Sequence, residues 1–125
     1  MEGYKVTIKE CSKELTARER IMVRDTSNAI KLDDMCNDET KPTIKPVVYA
    51  VLSVHNDKSE NKDYEVYVIF ADDGIKYATG SPSFFSAFKE IWDEMVEAKE
   101  EFEIELYKME SKNYKGKYFL TCSIV

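Results

Sequence analysis

The chain has 125 residues, enough for one core that buries roughly two thirds of the unfolded surface, and eight Tyr and six Phe with only four Gly and three Pro exclude a disordered or fibrous chain. No apolar run approaches the length of a membrane span, the N-terminal MEGYKVTIKE lacks a signal peptide's apolar core, and the three scattered cysteines Cys11, Cys36 and Cys122 make no disulfide framework, so a cytoplasmic protein is expected. The net charge of −6 argues at first against a polyanionic partner. The charge is concentrated, however. From Lys89 to Glu105 eight acids (Glu90, Asp93, Glu94, Glu97, Glu100, Glu101, Glu103, Glu105) face only Lys89 and Lys99, a local balance of −6 that leaves the rest of the chain neutral.

In chain order, Tyr4 to Glu10 alternates, with Val6 and Ile8 on one side and Lys5, Thr7 and Lys9 on the other, which predicts a half-buried strand. Ser12 is placed to cap a helical segment from Glu14 to about Arg24. A short extended piece over Ala29 to Leu32 and one helical turn over Asp33 to Cys36 follow. The polar run Asn37 to Lys45, with Pro42 inside it and Pro46 after it, reads as a connector. Residues 1–125 are thus expected as a single domain, in which 1–45 form an extension packed on the part formed by 46–125.

Val47 to His55 is β-forming and apolar on both sides, as in a strand covered twice. After a polar loop, Tyr64 to Ala71 and Ile75 to Thr79 form a hairpin around Asp73-Gly74, a dipeptide that tolerates positive φ. A two-residue turn pairs Phe70 with Tyr77. A three-residue turn pairs Ile69 with Tyr77 and brings Tyr67 to the same face. Gly80 ends the strand, Ser81 is placed as N-cap and Pro82 as first helical residue. Phe84, Phe85, Phe88, Ile91, Trp92, Met95 and Val96 then recur at spacings of three and four, a broad apolar face that must be buried. Phe102 to Met109 alternates with Tyr107 outward, Ser111 to Lys117 is a basic turn without an acid, and Tyr118 to Val125 is the last strand.

From residue 47 onward the order is therefore three strands, a helix and two strands. The expected class is mainly β (α+β): a five-stranded OB-like barrel with one amphipathic helix between its third and fourth strands, plus the N-terminal strand and helix. OB-folds bind oligonucleotides or oligosaccharides across strands two and three and the loops joining strands one to two and four to five. A fold supplies no function by itself.

No catalytic constellation emerges. The single His55 has no nucleophile or paired carboxylate at a telling spacing, and Asp72 with Asp73 is accounted for by the turn, so no enzyme, metal or cofactor is expected. The constellation with chemistry is Lys112, Tyr114, Lys115 and Lys117, together with Tyr49, Tyr67, Lys76 and Tyr77 on the preceding strands. Binding single strands without sequence preference needs cations along the backbone and flat rings for bases, at roughly 1–3 kcal/mol per stacked base. Tyr49, Tyr67 and Tyr77 serve that purpose if outward and are core residues if inward.

The combination IFADDGIKYATGSPSFFSAFKEIWDEM, a following strand, the turn SKNYKGK and the terminal FLTCSIV resembles the small single-stranded DNA-binding proteins of tailed phages, including those of protein-primed Bacillus phages. The resemblance covers about residues 47 to 125 and departs from the family in overall acidity. It implies a non-enzymatic OB-like protein that coats displaced strands during phage DNA replication in the cytoplasm of an infected host, without sequence specificity. An alternative is an acidic protein-interaction module, such as a phage inhibitor of a host DNA-binding enzyme, with the Lys89 to Glu105 face imitating a phosphate backbone. The same face offers a contact for replication proteins, and open barrel edges offer pairing between subunits.

Overall fold

The computed structural model describes residues 3–36, 41–58, 60, 62–110 and 116–125. Eight strands and three helices follow one another as β1 (Tyr4–Cys11), α1 (Ala17–Arg24), β2 (Ile30–Lys31), α2 (Leu32–Met35), β3 (Thr43–Ile44), β4 (Pro46–Asn56), β5 (Asp63–Ala71), β6 (Lys76–Thr79), α3 (Pro82–Ala98), β7 (Ile104–Glu110) and β8 (Tyr118–Ile124). The molecule is mainly β, and from residue 46 onward the long amphipathic helix stands after three strands and before two, as expected. The strands lie in two sheets, of order β1-β4-β5-β6-β2 and β3-β7-β8, and do not close into a barrel among the described residues. The chain divides into two compact units, Met1–Ile30 with Val47–Gly80 and Lys31–Pro46 with Ser81–Val125. The division does not fall at residue 45: each unit takes residues from both sides of it.

In the first unit β1 pairs antiparallel with β4, from Tyr4↔Asn56 to Cys11↔Ala50, with a bulge between Ile8 and Glu10. The first strand therefore belongs to the sheet rather than to a separate extension. Ser12 continues this pairing and does not cap a helix: its N–H donates to the Tyr49 carbonyl and its Oγ accepts from the Tyr49 N–H. Helix α1 starts later, at a capping box in which Thr16 Oγ1 accepts from Glu19 N–H while Glu19 accepts from Thr16 N–H. Val23 of α1 is buried with Ala50, Leu52, Val54 and Val68, and Val6, Ile8, Leu15, Val66 and Phe70 pack around them. This is the core face of the sheet.

The β5–β6 hairpin takes the three-residue turn. Ala71 exchanges bonds with Ile75 and Gly74, Gly74 lies at φ +83°, and Asp73 Oδ1 accepts from Ile75 N–H. Ile69 consequently pairs with Tyr77 and Tyr67 with Thr79.

In the second unit β7 pairs with β8 from Ile104↔Ile124 to Glu110↔Tyr118, and β3 pairs with β7. Ile44 of β3 is 5 % exposed, so this part of the expected polar connector is a short strand anchored in the core, because one apolar side chain can bury itself against Ile104. Residues 37–40 of that connector lie outside the described residues. One face of this sheet carries Ile44, Ile104, Leu106, Leu120 and Cys122, all buried, and α3 covers it with Phe84 and Phe88, which are fully enclosed. Ser81 Oγ accepts from Phe84 N–H at the helix start with Pro82 in the first turn. At the other end Lys99 is left-handed at φ 59°, with Lys99 N–H and Glu100 N–H returning to the carbonyls of Val96 and Met95. The apolar face of α3 is buried only over its first half. Ile91, Trp92 and Met95 are partly exposed and Val96 is 52 % exposed.

Candidate nucleic-acid interface

Strand alternation sets the geometry of the three-stranded sheet. Opposite the helix-covered face stand Thr43, Glu105, Tyr107, Met109, Phe119, Thr121 and Ser123, since partners across a ladder share a face and the pairs here are Thr43↔Glu105, Glu105↔Ser123, Tyr107↔Thr121 and Met109↔Phe119. The ring of Tyr107 is half-buried, its hydroxyl lies 2.6 Å from Ser123 Oγ, and the Lys41 ammonium sits 5.6 Å from the ring centroid. That places a cation over a π-face on a surface that is half-buried around Tyr107, with Thr121 across the ladder buried. Toward the tip of the hairpin exposure rises: Met109 is 46 % exposed, Phe119 36 % and Tyr118 57 %. Lys108 and Lys117 are exposed on the same two arms. Met109 and Phe119, partners across the ladder, leave adjoining apolar area in water on one face, and the Tyr118 ring is exposed on the other.

This hairpin leads into the basic turn expected to bind. Lys112, Tyr114 and Lys115 lie outside the described residues. Lys117 is described and exposed at the start of the returning arm. The expected loop is thus joined to side chains that the sequence passes over: Lys41, Met109 and Phe119 on one face of the hairpin and Tyr118 at the tip of the other. The signal for them was the alternation of β7, which already put Tyr107 outward. Extending that alternation across the ladder puts Met109 and Phe119 on the same side.

The other expected residues are placed differently. Tyr49, Tyr67 and Tyr77 do share one face of the five-stranded sheet, the face opposite Val23 and its cluster, as the three-residue turn requires. Their rings are enclosed rather than outward: they are 5, 6 and 5 % exposed. The Tyr49 hydroxyl donates to Glu10 at 3.1 Å and the Tyr67 hydroxyl to Glu65 at 3.3 Å, and Glu65 is in turn held by Lys9. Burial first, and for Tyr67 the nearby Glu65 carboxylate next, raises the phenol pKa values of Tyr67 and Tyr77. Apolar ring area is better removed from water than displayed, and polar hydroxyls reach partners at the edge of the enclosure.

Lys76 is likewise engaged within the fold. Its ammonium donates to the carbonyls of Met22 and Asp25 at 2.6 and 2.5 Å and to Asn28 Oδ1 at 3.3 Å, and stands 5.7 Å from the Phe70 ring centroid. These are the acceptors at the C-terminal end of α1, where a cation is favoured. His55 is bound on both ring nitrogens, by Asp63 and Asp57 at 2.8 Å each, and those two carboxylates raise its pKa. That arrangement fixes the ends of the β4–β5 connection.

A family model described as Phage Single-stranded DNA-binding protein matches residues 17–125, from the first residue of α1 onward and across both compact units. No curated protein and no solved structure matches the chain.

Proposed function

The chain belongs to the phage single-stranded DNA-binding protein family, and from that premise we propose that it coats displaced DNA strands during phage replication, without sequence preference and without catalysis. The strand is held along the β7–β8 hairpin. Bases stack on Tyr107 and Phe119 on one face and on Tyr118 where the strand rounds the tip, and phosphates lie along Lys41 and Lys117 and the residues Lys112 and Lys115, with Lys108 on the far face and Tyr114 as a further ring. The protein acts in the cytoplasm of the infected host. The succession of three strands, a helix and two strands supports an OB-like arrangement, in which this hairpin corresponds to the loop between the last two strands.

The observation that carries the proposal is the pair of exposed rings at the hairpin tip next to Lys117, Phe119 on the face of the Lys41–Tyr107 pair and Tyr118 on the other. Rings stack on any base and lysines contact any phosphate, so the chemistry suits a protein that must bind whatever sequence is displaced. The local surplus of acids lies mostly on α3 and the segment that follows it, away from the hairpin tip in sequence, which reconciles an acidic protein with a polyanion.

Titration with oligo-dT and with duplex DNA, followed by intrinsic fluorescence, tests this directly. Saturable quenching by the single strand and none by the duplex is expected. Phe119→Ala and Tyr118→Ala, both at exposed positions, should each weaken binding roughly tenfold. Equal affinity for duplex, or wild-type affinity in both variants, would overturn the site.

A further inference from the structure

The apolar strip of α3 does not end where its cover ends. Phe84 and Phe88 are fully buried, yet Ile91 and Met95, one and two turns further along the same strip, remain partly exposed. With Ile124 of β8, which is 48 % exposed, they floor a groove of about 360 Å³ whose rim is Glu90 and Glu94. Both rim carboxylates are exposed, and neither has an ion pair among the described residues, unlike Asp93, which pairs with Lys89.

The complementary surface is on the same chain. Helix α1 reads ARERIMVR and displays its apolar residues the wrong way for a surface helix: Ile21 is 62 % and Met22 51 % exposed. At about 100° per residue, Arg18, Ile21 and Met22 fall within a third of the circumference, roughly opposite Val23, which is buried. Arg18 makes no ion pair among the described residues. One helix thus offers an apolar knob beside a guanidinium, and the other an apolar groove beside carboxylates. Arginine forks match carboxylates bidentately, which sets orientation as well as attraction.

We infer that α1 of one copy docks in the α3 groove of the next, Ile21 entering between Ile91, Met95 and Ile124 while Arg18 meets Glu90 and Glu94. The two sides of this contact are different surfaces of the chain, so a copy that has lost its helix contact can still engage a neighbour through its groove, and the reverse. Of the hairpin only Ile124, at the base of β8, takes part, while Tyr118 and Phe119 at its tip do not. Because the area is one short helix, the contact is weak for free protein and strengthened when neighbours are held on one strand.

Sedimentation velocity without DNA tests the contact independently of the proposed function. Wild-type protein should sediment faster as its concentration rises to about 1 mM, the range in which contacts of this small area become populated. Ile21→Asp, which removes the knob, and Met95→Asp, which removes the groove, should each stay monomeric at all concentrations with unchanged far-ultraviolet circular dichroism. Should Met95→Asp fail to fold, Glu94→Lys at the exposed rim replaces it. An equimolar mixture of the two variants retains one intact helix and one intact groove, so it should recover association that stops at a pair. Wild-type protein that stays monomeric throughout, variants that associate as the wild type does, or a mixture that stays monomeric would each overturn the proposal.

Discussion

The ammonium of Lys76 is occupied by main-chain carbonyls, so its loss should be felt by α1 and not by a bound polyanion. Lys76→Met should lower stability by about 1–2 kcal/mol in urea denaturation and leave the salt dependence of DNA affinity unchanged. Lys117→Gln should instead flatten the slope of log affinity against log salt by about 0.7 for one lost phosphate contact. His55 carries a pH dependence of defined sign. Its pKa is raised in the folded chain by Asp63 and then Asp57, so its stabilising effect is complete below the ordinary histidine value of about 6.5 and disappears as pH rises through the raised one. The melting temperatures of wild type and His55→Ala should therefore differ more at about pH 5.5 than at about pH 8.5; the opposite order would contradict the carboxylate clasp. Neither role could be read from the sequence, because the acceptors of Lys76 lie some fifty residues away in the chain and acquire meaning only once α1 packs on the sheet.

Among the elements, α3 shows what local chemistry can specify. Ser81, Pro82 and the three-four spacing of Phe84 and Phe88 identify its start and its buried side within the sequence itself. Its end was not legible, since Lys99 is an uncommon residue for a left-handed cap. Replacing Lys99 with Gly should stabilise the fold by about 1 kcal/mol, measured by chemical denaturation, because glycine adopts this conformation without strain. The β5–β6 turn is the intermediate case. Asp73-Gly74 predicts a hairpin, but the choice between turn lengths depends on Ala71 pairing with Ile75, and with it the face of Tyr67 and Tyr77. Even the right register did not say whether that face was open. Tyrosine alternation is the same for a displayed ring and an enclosed one, and the difference is supplied by what packs over it.

For the whole molecule, the pairing of distant strands decided what the sequence could not. Five strands and a helix in the right order suggested a barrel, whereas β1 joins β4 and the short β3 joins β7, giving two sheets of five and three strands. A two-residue strand such as Thr43–Ile44 inside a polar run has no period to detect, and an edge partner is chosen by contacts formed only on folding. The family was more legible than the architecture, since the motifs that carry the resemblance lie within the matched residues 17–125. The central claim is that single-stranded DNA lies along the β7–β8 hairpin, and ultraviolet crosslinking of oligo-dT followed by peptide mapping tests it most directly. Adducts at Tyr107, Tyr118 or Phe119, or within residues 111–117, are the predicted result. Adducts confined to Tyr49, Tyr67 and Tyr77 would contradict it and place the strand on the five-stranded sheet instead.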